Sequence, residues 1–420
     1  MVLNRLFGRL FHREPEGIPT LYPGLDPLRL ERFLTDEEYA RIKSFDNVYV
    51  MPFVSQNSES SQMCFGLGLS RLMIRNLMLL RDISIHGPED TPEVSCEGLG
   101  EIAQAQPRSC HVTGVANFGS DGYSLQVKVQ RPGHSIRKTR VQHEQFKPFL
   151  RETSAAIAGL LGSKVDEAIA RAWDVAQPRD AKSLLLLGQI HLDFNRQQMR
   201  ERGQAARRLL AFDPDFIVAT WDIDEELPGA REQYLAGLKR DPHNAQLCFV
   251  TFCTVWTSKG PQPEALQFCR KAIELSPGHG KAHMCAPHAA QRPTEMLRHS
   301  ELGYRLLPGN SFAVNNYNLA LTRANAPAQT LIELAEEGIA ADPRHPGSYL
   351  RLIELCVSLG DHKAALATAE RLQKLYEPRM DERALYCLRQ NPQMAKLIDS
   401  GQFDPAADNR RRIAELRRLV

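Results

Sequence analysis

Residues 246–277 read QLCFVTFCTVWTSKGPQPEALQFCRKAIELSP. Two apolar helical runs, 246–258 and 264–275, flank Gly260, and Ala265 and Ala272 sit on one face of the second run. Small residues at that spacing let two antiparallel helices approach closely, and Pro277 then ends the pair. Residues 346–378 repeat the design. Tyr349, Leu352 and Cys356 mark a first helix, Gly360 and Asp361 a turn, and Ala365, Ala369 and Leu372 a second helix. The unit closing at Pro343 supplies NNYNLALTRA and LIELAEEGIAA in the same roles. Six prolines, Pro214, Pro242, Pro277, Pro308, Pro343 and Pro378, stand at intervals of 28, 35, 31, 35 and 35 residues. Most follow an Ala-rich run such as LLAFDP, AGLKRDP, KAIELSP or EEGIAADP. A step of about 34 residues with helical text between the prolines predicts a helical-hairpin solenoid over 180–380.

These units resemble tetratricopeptide repeats. The resemblance implies a curved array whose hollow side, lined by the first helix of each pair, holds another polypeptide. Two intervals are irregular. The stretch from Pro214 to Pro242 contains DIDEELPG, and the stretch from Pro277 to Pro308 contains GHGKAHMCAPHAAQRP, which leaves room for only part of a helix. Irregular units bend a solenoid or mark a special surface. Residues 381–420 read as a helical cap and basic tail. The tail NRRRIAELRRLV aligns Ile413, Leu416, Leu419 and Val420; it packs on the array or docks a partner, and packing is the plainer expectation.

Ahead of the repeats, residues 45–165 read as a small α/β domain. NVYVMPF (47–53) is a buried strand, and GLGLSRLMIRNLMLL (66–80) a helix after a polar, Ser-rich loop. Then come a strand at 83–86, a weaker helix at 97–105, and strands at 111–116, 122–130 and 135–142. Val115, Leu125, Val127, Val129, Ile136 and Val141 are expected to form the apolar face of these last strands. Gly119-Ser120-Asp121-Gly122 and Pro132-Gly133 supply the turns. A helix over 148–161 ends at Gly162. The predicted class is α+β then all-α: a mixed-sheet domain joined to an α-solenoid.

The runs VYVMPF, GLGLSRLMIRNLMLLRDISIHG, VTGVANFGSDGYSLQVKVQ and FLRETSAAIAGLLG resemble the amino-terminal domain of the translocation protein TolB. They are more similar still to its form in bacterial signalling proteins, where tetratricopeptide repeats follow at once. In those relatives the module trails an adenylate cyclase or a winged-helix DNA-binding domain. The resemblance covers about residues 47–215. The sequence departs from it in having Phe65-Gly66-Leu67 where an acidic residue is usual, and about 45 residues before the first strand, with no cyclase or DNA-binding domain there.

The 420 residues are 43% hydrophobic and 24% charged, with a net charge of +2, which gives no global attraction to nucleic acid or membrane. Nine cysteines show no CxxC pattern and several, Cys248, Cys253, Cys269 and Cys285, lie in apolar helical text, which fits a reducing compartment and a cytoplasmic protein. No run approaches the ~18 apolar residues of a membrane helix. Residues 1–17, MVLNRLFGRLFHREPEG, form a basic amphipathic helix that either touches a membrane surface or partner, or packs on its own domain.

Candidate chemistry is sparse. GLGLS lacks the strand-end placement and following Lys-Ser/Thr of a phosphate loop, so packing at a helix start is expected there. His279, His283 and His288 near Cys285 lack paired metal-ligand spacing, and no G-x-S-x-G occurs. No cofactor, metal or catalytic residue is therefore assigned. Asn315, Asn316, Asn318, Arg323 and Arg351 fall on or beside adjacent first helices, where amide and guanidinium donors suit a peptide carboxylate. The expected function is a non-enzymatic adaptor or regulatory subunit with a protein or peptide partner and no direct nucleic-acid contact. The alternatives are a small-molecule or nucleotide sensor acting through the α/β domain, or a transcription-regulator component acting through a partner.

Overall fold

A computed structural model of the chain describes residues 34–55, 59–87, 109–175, 177–195, 199–216, 229–259, 263–288, 293–389 and 392–420. The amphipathic segment 1–17 and the helix expected at 97–105 lie outside these residues. The first element, α1 (Asp36–Lys43), was not foreseen. Thr35 caps it: its hydroxyl accepts from the Glu38 N–H, and the Glu38 carboxylate accepts from the Thr35 N–H. Then follow β1 (Asn47–Val50), α2 (Ser60–Leu77), β2 (Ser84–His86), β3 (Ser109–Gly119), β4 (Gly122–Gln130), β5 (Arg137–His143) and α3 (Phe146–Leu161).

The sheet order is β2-β1-β3-β4-β5, with β1 parallel to both neighbours and β3, β4 and β5 antiparallel. Leu125, Val127, Val129 and Val141 are buried as expected. Two strand residues differ. On β3 from Val112 onward the buried positions are Val112, Gly114 and Ala116, so the half-buried Val115 points to the opposite face, and Ile136 lies outside β5 and is exposed. The alternation on β3 is one residue out of step with the expected one, and a one-residue shift exchanges faces. Gly162 ends α3 in the left-handed region, with the Ser163 N–H closing on the Ala158 carbonyl.

The array comprises α4 (Glu167–Val175), α5 (Ala181–Asn195), α6 (Met199–Phe212), α7 (Ala230–Arg240), α8 (Ala245–Lys259), α9 (Pro263–Leu275), α10 (Gly280–Cys285), α11 (Pro293–Leu306), α12 (Ser311–Arg323), α13 (Ala328–Ala341), α14 (Pro346–Ser358) and α15 (His362–Tyr376). The cap and tail are α16 (Glu382–Arg389), α17 (Pro392–Asp399) and α18 (Pro405–Leu416). Pro214, Pro242, Pro277, Pro308, Pro343 and Pro378 each stand two residues beyond a helix end. The physical cause is local. A residue before proline avoids the α region, and Asp241, Asp342 and Glu377 cap their helices at ψ values of 79°, 94° and 148°. Ala265, Ala272, Ala365 and Ala369 are fully buried where the paired helices cross. The tail helix α18 packs on α15, with Ile413 and Leu416 buried and Asn409 donating to the Ala369 carbonyl at 2.9 Å.

The α/β domain and the first hairpins share one hydrophobic core, running from Val48 to Ala286. A second core, Leu331 to Leu416, holds the later hairpins and the tail. The joint in the first core is made by glycines. A Cβ on Gly188 of α5 would lie 1.7 Å from the Cys64 carbonyl oxygen, and one on Gly68 of α2 would lie 2.0 Å from that of Leu184. A third, on Gly66, would lie 2.1 Å from the Phe53 carbonyl oxygen. The backbones of α2 and α5 thus touch directly. The helix begins at Ser60 rather than at 66, so the glycines lie in its interior.

Candidate partner-binding surface

Where the α/β domain meets the array, the turns of the irregular units receive it. Arg75 on α2 reaches Asp241, the residue before Pro242, at 2.7 Å, and both side chains are 1% exposed. Arg75 also donates to the Ala172 carbonyl and the Asn76 amide oxygen. Ser84 on β2 donates to the Gly278 carbonyl at 2.5 Å, and a Cβ on Gly278 would meet the Ile83 carbonyl oxygen at 2.5 Å. Asn47 on β1 donates to the Arg305 carbonyl at 2.9 Å. The helix α1 adds a clasp on α11: Leu34 and Ile42 pack with Leu302 and Leu306, and Lys43 pairs with Glu301 at 2.7 Å. The turns after Arg240 and Ser276 and the last turn of α11 are therefore met by the protein's own domain.

His279 and His283 of the second irregular unit serve packing. His279 caps α10 through its Nδ1, which accepts from the Ala282 N–H. His283 Nε2–H donates to the Pro277 carbonyl at 2.8 Å, so its Nδ1 accepts from His299 Nδ1–H at 2.9 Å. Burial pushes His283 down to about 4 and holds His299 well below its ordinary value. Among the described residues no three His, Cys, Asp or Glu side chains converge as metal ligands. Burial pushes the Cys248 and Cys285 thiols up to about 12, which keeps them protonated and unreactive at neutral pH.

Four of the five groove candidates serve as joints between helices, and the fifth, Arg323, is exposed. Asn318 is fully buried on α12; its amide donates to the Leu331 carbonyl at 2.6 Å and accepts from Arg351 Nε at 3.0 Å. Arg351 on α14 also bonds Thr322 and, at 3.1 Å, Glu354, so it ties α14 to α12. Asn316, half-buried, donates to the Met284 carbonyl on α10 at 3.0 Å. Asn315 lies against Gly347, where an added Cβ would come within 2.4 Å of its amide nitrogen. Arg323 at the end of α12 is exposed and touches the Met296 sulfur at 2.9 Å.

Residues beside this seam were missed. Tyr386 on α16 is 52% exposed, and Leu319 on α12 is 36% exposed. Arg383 pairs with Asp342 at 3.1 Å and lies over the rings of Tyr386 and Phe312, 5.3 and 5.9 Å from their centroids. The signal was in the spacing: Asn316, Arg351 and Tyr386 are each 35 residues apart, the same step as Pro308, Pro343 and Pro378. One repeat position thus carries an amide and a guanidinium on two successive first helices and a phenol on the cap helix α16.

No protein-family model matches the chain, and none of the curated proteins matches it. Among solved structures the chain is similar to the human IFIT1 dimer with PPP-AAAA, at 12% identity and a TM-score of 0.30, over 64% of this chain and 80% of that one.

Proposed function

We propose that the chain is a non-catalytic, cytoplasmic adaptor whose later hairpins hold an extended polypeptide along α12, α14 and α16. One observation carries this function: the exposed Leu319, Arg323 and Tyr386 lie beside the seam that Asn316 and Arg351 brace. An exposed guanidinium and phenol beside apolar surface suit a peptide that brings a carboxylate and a hydrophobic side chain. The turns of the earlier hairpins are filled by the α/β domain, which leaves the later ones for a partner. A TolB-like character for that domain is supported by its order of elements, β-α-β then three strands and a helix. For the nucleotide-sensor alternative, Gly66 and Gly68 do not form a phosphate cradle, because they lie against the Phe53 and Leu184 carbonyls inside the packed helix.

Affinity purification with the intact chain as bait tests the proposal. A single stoichiometric protein should be recovered, and Arg323→Glu or Tyr386→Ala should release it while circular dichroism stays unchanged. Retention of the partner by both variants, or substrate turnover by the purified chain with no partner recovered, refutes it.

A further inference from the structure

The α/β domain carries a second surface at the far edge of its sheet. Along β3 the Val54 N–H donates to the Gly114 carbonyl, and the Ala116 N–H donates to the Val54 carbonyl. Gly114 and Ala116 therefore turn their backbone groups toward β1, and antiparallel alternation sends those of Thr113, Val115 and Asn117 toward β4. The register carries this outward. Leu125 and Val127 face β5 and pair with Val141 and Thr139, so Lys138, Arg140 and Gln142 point their N–H and C=O groups away from the sheet. Among the described residues no backbone group bonds to them there.

The side chains at these positions form a basic field. Across the outer face the register aligns Thr113, Lys128 and Lys138 in one row, and Val115, Gln126 and Arg140 in the next. Lys128, Lys138 and Arg140 are exposed, and none of them enters an ion pair among the described residues. Lysines on an edge strand normally guard it against unwanted pairing. That role does not account for Lys128, which lies on the interior strand β4 directly opposite Lys138, where like charges destabilise the pair. A charge placed at such a cost fits an anionic occupant.

We propose that β5 accepts an additional strand from an acidic polypeptide, by β-augmentation along Lys138, Arg140 and Gln142. Main-chain hydrogen bonds to these residues supply the register, and glutamates or aspartates at alternate positions of the guest meet Lys138, Arg140 and Lys128. Guest residues between them face the same side as Thr139 and Val141, and the exposed Ile136 extends an apolar contact beyond the strand's start.

Fluorescence anisotropy with the full chain and a labelled peptide of alternating Glu and Val tests this. The peptide should bind; its alternating Lys and Val counterpart, and a version N-methylated at its pairing amides, should not. Arg140→Gln should weaken binding about tenfold, as loss of one charge contact does, and Arg140→Pro should abolish it. Proline is tolerated at an edge position whose N–H faces solvent, so the second variant removes the donor without breaking the bond to β4. Absence of binding by the acidic peptide overturns the proposal. So does equal binding by the N-methylated peptide, which reveals a charge patch without strand pairing. Preferential binding of a single-stranded oligonucleotide, lost in Lys128→Gln and kept in Arg140→Pro, also overturns it in favour of a nucleic-acid face.

Discussion

Replacing Arg75 by methionine should uncouple the α/β domain from the array. Arg75 places Nη2 at 2.7 Å and Nε at 3.3 Å from one oxygen of Asp241, and the other oxygen is buried with no bond. The guanidinium is thus the carboxylate's sole hydrogen-bonding partner among the described residues. Methionine fills much of the volume but leaves a buried, uncompensated carboxylate, which costs about 3–5 kcal/mol. The double variant Arg75→Met with Asp241→Asn removes the stranded charge and should recover a large part of that loss. The effect should also be local, because the later hairpins have a core of their own from Leu331 to Leu416. Urea unfolding gives the magnitude, and hydrogen exchange gives the place. Protection should fall across α2, α5 and α7 and stay constant across α13 to α15. A loss below about 1 kcal/mol, the range of an exposed pair, would refute the reasoning. Equal loss of protection in both cores would refute the claim that they are separate.

Three further outcomes follow from the packing. Gly188→Ala drives a methyl group into the Cys64 carbonyl and should destabilise by at least about 1–3 kcal/mol, whereas Gly159→Ala, with open space around it, should stabilise by about 0.5–1 kcal/mol; thermal melts that rank them the other way contradict the close approach of α2 and α5. Burial holds His283 and His345 at about 4, against 6.5 when unfolded, so the unfolded chain binds more protons between those values. Stability should be fully present above pH 6.5 and fall as pH drops toward 4, and urea midpoints that stay level across this window refute the buried, neutral state. Asn318→Ala frees the Leu331 carbonyl and Arg351 Nε from their shared bridge and should cost about 1–3 kcal/mol, seen as loss of protection in α12 to α14. Unchanged exchange there shows that the seam is held by other contacts.

The helical hairpins were legible because each boundary has a local cause. An aspartate before a proline stops a helix by its own backbone preference, and α8, α9, α14 and α15 fall within a residue or two of where the text places them. The strands were legible for the same reason, through alternation and turn residues. What escaped depends on distance. Nothing near Gly66 or Gly68 reveals that the Leu184 and Phe53 carbonyls will lie against them, and a glycine pair before a helical run resembles a helix start. Asn318 was read as a groove amide because it falls on a first helix next to that of Arg351; that adjacency instead brings the two side chains together as a brace. The clasp helix α1 was readable, since Thr35-Asp36-Glu37-Glu38 is a capping-box pattern.

The turns that receive Arg75, Ser84 and Asn47 give the molecule a direction of growth. Inserting or deleting a hairpin before Leu306 shifts Asp241, Gly278 or Arg305 relative to an α/β domain that contacts all three, through α2, β2 and β1. Beyond that point no hydrogen bond or ion pair among the described residues ties a hairpin to the α/β domain, so that yardstick does not reach the later hairpins. Lineages that lengthen this protein are expected to do so at its carboxy-terminal end, so that reach varies while the anchored half keeps its dimensions.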